Sequence, residues 1–100
     1  MGLTWYLNGK LHRLVLMNDA SEFHCDDGPA LICYYDTGDL KLKKWYVNGV
    51  SHCDYGPAEI AYRIDGSVMY EEYFLHGQIV EKEEFIAYRR AMIIDEIINL

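Results

Sequence analysis

Between Pro29 and Tyr35 the side chains alternate. Ala30, Ile32 and Tyr34 fall on one face of an extended chain, and Leu31, Cys33 and Tyr35 on the other. The alternation stops at Asp36-Thr37-Gly38-Asp39, a turn with glycine where positive φ is needed. A second run, Leu40 to Val47, sets Leu40, Leu42, Lys44 and Tyr46 opposite Lys41, Lys43, Trp45 and Val47. Asn48-Gly49 closes it, the dipeptide best suited to a two-residue hairpin turn. These residues predict a unit of two antiparallel strands and two turns.

The unit recurs. Residues 24–51 align without a gap on residues 52–79, a period of 28. His24/His52, Cys25/Cys53, Asp26/Asp54, Gly28/Gly56, Pro29/Pro57, Ala30/Ala58, Ile32/Ile60, Tyr34/Tyr62, Gly38/Gly66 and Gly49/Gly77 are identical. A partial earlier copy, Trp5-Tyr6-Leu7-Asn8-Gly9, matches Trp45-Tyr46-Val47-Asn48-Gly49 at a spacing of 40 residues, so about twelve residues within 10–23 read as an insertion. After Gly77 the pattern changes. Glu81-Lys82-Glu83-Glu84 places acids in a first helical turn, and neither Gly nor Pro follows, which predicts a helix over 81–98.

The expected fold is therefore mainly β (α+β) in one domain over residues 1–100. A curved, twisted meander of hairpins spans about 3–80, and the C-terminal helix lies across it and covers an apolar face. At 100° per residue the helix carries three apolar strips. Phe85, Tyr88 and Met92 form one, Ile86, Ile93 and Ile97 a second, and Ala87, Ala91, Ile94 and Ile98 a third. One sheet face cannot cover all three. Either the 10–23 segment packs over the far side, or Met92, Ile94, Ile97 and Ile98 build a homodimer or partner interface.

Charge narrows the partners. A formal charge of −7 argues against direct contact with nucleic acid or an anionic membrane, since both need Lys and Arg to displace counterions. It suits a protein that approaches a basic surface, including the nucleic-acid-binding groove of another protein. No apolar run is long enough to span a membrane, and no start reads as a secretion signal. Three cysteines, an odd count, predict free thiols in a cytoplasmic setting. Nine tyrosines favour strands. Tyr35, Tyr55 and Tyr70, with Asp36, Asp39, Glu71 and Glu72 nearby in sequence, are the expected partner-binding residues.

The run Asn48-Gly49-Val50-Ser51-His52-Cys53-Asp54-Tyr55-Gly56-Pro57-Ala58 resembles the MORN-like repeats of bacterial, phage and giant-virus proteins. The resemblance covers roughly residues 5–80, with Cys53 where Arg is usual and Tyr55 where Asp is usual. It implies a curved hairpin array with, mostly, interaction roles and without catalysis; together with the small size and the acidity, the phage-like repeat leads to the expectation of an inhibitor of a host protein.

Two His-Cys pairs invite a metal reading, with His24, Cys25, His52 and Cys53 as candidate ligands for zinc, alone or around a small ligand. Adjacent side chains on extended backbone point to opposite faces, and equivalent positions in successive units lie about 10 Å apart, so the expectation is no metal and no cofactor. The same spacing disfavours a Cys25–Cys53 disulfide. His52 is expected to brace the turn that precedes it. No nucleophile sits beside a base and no glycine-rich phosphate loop runs from strand to helix, so a small enzyme ranks third among the functions.

Overall fold

The computed structural model describes residues 2–99. Its elements are β1 (Gly2–Trp5), β2 (Leu11–Val15), β3 (Leu31–Tyr34), β4 (Leu40–Lys44), β5 (Tyr46–Val47), β6 (Val50–Ser51), β7 (Glu59–Tyr62), β8 (Val68–Leu75), β9 (Gln78–Val80) and α1 (Lys82–Ile98). Seven strands form one antiparallel sheet in the order β1-β2-β3-β4-β7-β8-β9, while β5 and β6 pair as a separate short hairpin. The fold is mainly β, a meander closed by one C-terminal helix, as the alternation and the late acidic turn predict.

Three hairpins of the sheet are copies of one another. β1–β2, β3–β4 and β7–β8 each shift register by one residue near the turn, at Thr4/Trp5, Cys33/Tyr34 and Ala61/Tyr62. Their turns share hydrogen bonds too. Tyr6 N–H donates to Lys10 O, Tyr35 N–H to Asp39 O and Arg63 N–H to Ser67 O. Gly9, Gly38 and Gly66 occupy the left-handed position, with φ of 84°, 93° and 91°. Asn8-Gly9 thus belongs with Gly38 and Gly66, not with Asn48-Gly49.

That equivalence corrects the expected insertion. Residues 11–15 are the return strand β2, the counterpart of β4 and of the first part of β8. A bridge between Met17 and Phe23 closes the second turn of this unit, as the pairing of Tyr46 with Ser51 does in the next. The first unit is complete, and its second turn spans residues 18–22 where the next unit uses 47–50. Asn-Gly suits either kind of turn, so the local match to residues 45–49 aligned two different corners.

The predicted strand 40–47 is also divided. At Trp45 the chain turns out of the sheet: its N–H donates to Ala58 O and its carbonyl accepts from His52 N–H. Tyr46 and Val47 then pair with β6 across Asn48-Gly49, where φ is 48° and 83°. His76-Gly77 repeats this conformation, with φ of 52° and 86°. Positive φ at both central residues is the type I′ geometry that matches strand twist.

The core is small: Val15, Ala30, Leu31, Cys53, Ala58, Ala61 and Phe85 are its buried apolar residues. Ala30, just before β3, and Leu31, its first residue, are both buried. Successive units are joined by tyrosine. Tyr6 Oη donates to Tyr34 O at 2.9 Å, and Tyr35 Oη to Tyr62 O at 2.7 Å.

The helix does not lie across the meander. It packs chiefly on β8, with the Phe85 ring 4.7 Å from that of Tyr73, and Phe85 is its buried residue. Met92, half-buried, lies on the Phe85–Tyr88 side of the helix and not with the exposed isoleucines. Ile94, Ile97 and Ile98 are 56%, 61% and 74% exposed. Residues 10–23 do not cover them, because that segment is spent on β2 and its following turn.

Replacing Tyr35 by Phe deletes one joint between units and leaves the Tyr62 carbonyl without its donor. We expect a loss of about 1 kcal/mol in urea unfolding, with unchanged far-ultraviolet circular dichroism.

Candidate functional site

The histidines of the repeat are built into the joints between units. The chain enters each from the second hairpin, and type I′ geometry in the following unit aims a backbone N–H at the ring. Asn48 N–H donates to His24 Nδ1 at 2.9 Å, and His76 N–H to His52 Nδ1 at 2.9 Å. With Nδ1 accepting, the ring proton sits on Nε2 and donates to the acid two residues on. His24 Nε2 meets Asp26 Oδ1 at 2.9 Å, and His52 Nε2 meets Asp54 Oδ1 at 2.6 Å. Each histidine therefore braces the turn of the unit that follows it, not the turn that precedes it as the sequence suggested.

This wiring occupies the candidate metal ligands. Both ring nitrogens of His24 and of His52 are hydrogen-bonded within the chain, so an ion would have to displace a backbone N–H or a carboxylate. Cys25 Sγ donates to Asp27 Oδ1 at 3.3 Å. Cys53 is buried, and burial pushes its thiol pKa up. The three cysteines are free. Among the described residues no group of three His, Cys, Asp or Glu side chains is placed to hold a metal ion.

At the second joint the helix joins in. Tyr88 Oη donates to Asp54 Oδ1 at 2.9 Å, and the His52 and His76 rings stack with centroids 4.5 Å apart. Burial alone would raise the Asp54 pKa, but hydrogen bonds from His52 and Tyr88 outweigh it and hold the carboxyl below its ordinary value. Val47, Val50, His52, Asp54 and His76 line an open hollow of about 400 Å³. At the first joint His24 is the partner of Asp26 among the described residues, and the Asp26 side chain is 91% exposed.

A second polar cluster lies on the sheet, where sequence gave no warning. Cross-strand register sets Val15, Leu31, Lys44, Glu59 and Glu72 in one row. The first two are apolar and buried, the next two an ion pair at 3.4 Å. Tyr70 Oη donates to the other oxygen of Glu59 in a short hydrogen bond. That bond, with desolvation and the nearby charges of Glu59 and Glu72, pushes the Tyr70 hydroxyl up to about 12. Burial alone would lower Lys44, but Tyr46 and Glu59 hold its ammonium above the usual value.

The expected partner-binding residues do not form one patch. Tyr35 and Tyr70 share a shallow pocket of about 240 Å³ with Lys41 and Met69, but both hydroxyls are used within the protein. Tyr55 stands apart and 57% exposed, its hydroxyl accepting from Trp45 Nε1 at 2.8 Å. Asp36 and Asp39 are exposed at a sheet turn, with Thr37 Oγ1 donating to Asp39 Oδ2 at 2.8 Å. Glu71 and Glu72 instead face Val80, Glu81, Lys82 and Glu84 across a cleft of about 450 Å³ where the sheet meets the helix.

The chain matches no protein-family model, no curated protein and no solved structure. Among the described residues no helix is long and apolar enough to cross a membrane.

Two titrations follow. The stabilisation that Asp54 contributes is fully present above its ordinary pKa near 3.8 and is lost as pH falls through the depressed folded value. The Tm advantage of wild type over Asp54→Asn should therefore hold above about pH 4 and shrink below it. The side chain is 44% exposed, so the difference at neutral pH should not exceed about 1 kcal/mol. In ultraviolet titration Tyr70 should ionise only near pH 12, and Glu59→Gln should return it towards about 10.

Proposed function

We propose that this is a non-catalytic protein-binding module of the MORN-like repeat type, whose partner presents a basic surface and whose helix pairs with a second copy. The observation that carries the reading is the uncovered helix face, with Ile94, Ile97 and Ile98 pointing away from the sheet. A helix keeps such a face in water only at a loss. Burying each isoleucine fully is worth about 1.5–3 kcal/mol, which favours a protein occupant.

Two further features support it. The Tyr6 and Tyr35 hydroxyls and the His24 and His52 imidazoles are engaged in joining the units, a structural use of groups that could otherwise serve chemistry. From residue 59 to 84 the chain carries Glu59, Asp65, Glu71, Glu72, Glu81, Glu83 and Glu84 against Arg63 and Lys82. An acidic end of this kind suits a basic protein groove and would speed encounter at low salt. A phage-type inhibitor that covers a host protein's basic groove is the role these features fit best.

Sedimentation distinguishes the parts. Wild type should run as a dimer, and the double variant Ile94→Glu, Ile98→Glu as a folded monomer with unchanged circular dichroism. A wild-type monomer at every concentration would remove the helix as a seam between copies.

A further inference from the structure

The repeat prescribes what lies beside each return strand. β2 pairs outward with β3, the first strand of the next unit, and β4 pairs outward with β7 in the same antiparallel register. β8 is the third return strand, with Tyr70, Glu71 and Glu72 in the places of Leu42, Lys43 and Lys44. Its outer side should meet another first strand. Instead β9 pairs only with Tyr73, Phe74 and Leu75, and among the described residues no strand pairs with the outer edge of Val68–Glu72. Val68, Met69 and Tyr70 are 44%, 50% and 38% exposed.

We infer that the outer edge of β8 is a docking site for an extended, basic segment of a partner protein, which adds to the sheet as a further antiparallel strand. An unpaired edge offers a row of N–H and C=O groups to any extended chain. The internal junctions supply the register, and charge selects the occupant. At the β4–β7 junction Lys44 stands opposite Glu59 and pairs with it at 3.4 Å. At the open edge Glu72 takes the place of Lys44, so a lysine or arginine opposite it would form the same pair with the charges exchanged.

The cleft of about 450 Å³ beside this edge adds Glu81 and Glu84 to Glu71 and Glu72, against the single Lys82. A second copy of the chain meets this edge poorly. β1 is its free first strand, and in the same register it would set Leu3 and Gly2 against Glu71 and Glu72, with no basic partner for either.

This inference rests on the protein-binding reading but uses the sheet end, not the exposed helix face, so each can fail without the other. The test uses the full chain and a capped, dye-labelled hexapeptide, Thr-Val-Lys-Lys-Val-Thr. Binding by anisotropy should weaken at least tenfold in the variant Glu71→Lys, Glu72→Lys. It should weaken as much when the peptide amides are N-methylated, and amides between Val68 and Glu72 should gain protection from hydrogen exchange in the complex. Equal binding of the methylated peptide would reduce the effect to surface charge and overturn the proposal. So would absence of binding, protection confined to other strands, or protection of β8 that rises with protein concentration alone, which would assign the edge to a second copy.

Discussion

His24 and His52 hold one unit of the array to the next. Each ring accepts a backbone N–H from a type I′ turn 24 residues further along and donates its remaining proton to a carboxylate two residues on. The turn must present its N–H at that spot, so its two central residues must have positive φ, and Asn48-Gly49 and His76-Gly77 satisfy this. The carboxylate must be short and close, which explains Asp26 and Asp54. An imidazole with one accepting and one donating nitrogen is the side chain that can bridge a donor and an acceptor from opposite sides. Much of the repeated motif follows from this one demand.

The rest of the fold is arranged around these joints. Tyrosine hydroxyls make a second set of links at the opposite end of each hairpin, from Tyr6 to Tyr34 and from Tyr35 to Tyr62. With joints at both ends, a sheet with few buried side chains can still hold its twist. The third unit breaks the pattern. Arg63 stands where tyrosine would, and its guanidinium bonds back to Val68 O within its own hairpin. Where the next repeat would begin, the chain forms α1, whose Tyr88 caps the last His–Asp pair. The repeat pattern ends there, and the exposed isoleucines of α1 and the unpaired edge of β8 lie at that end.

Much of this was legible in the residues. Alternation, glycines at the turns and the acidic first turn of the helix predicted the mainly β class and the start of α1, but not β2 or the break at Trp45. The partners of the His24 and His52 ring nitrogens, a backbone N–H and a carboxylate each, could not be read from spacing. Other features were hidden. Asn8-Gly9 and Asn48-Gly49 are the same dipeptide in different corners, and only hydrogen-bond partners distinguish them. The Lys44–Glu59–Tyr70 cluster has no periodic signal, because the row it belongs to begins with Val15 and Leu31.

Local chemistry is what the sequence by itself determined: where the chain turns, which segments extend, where the helix starts, and that one unit recurs. Those properties depend on φ preferences and side-chain order within a few residues, and a linear reading contains both. Tertiary structure alone decided which turn each histidine serves, how far the helix is covered and which strand edge stays open. Each of these pairs groups tens of residues apart, and their partners are fixed by the stacking of units rather than by neighbours along the chain.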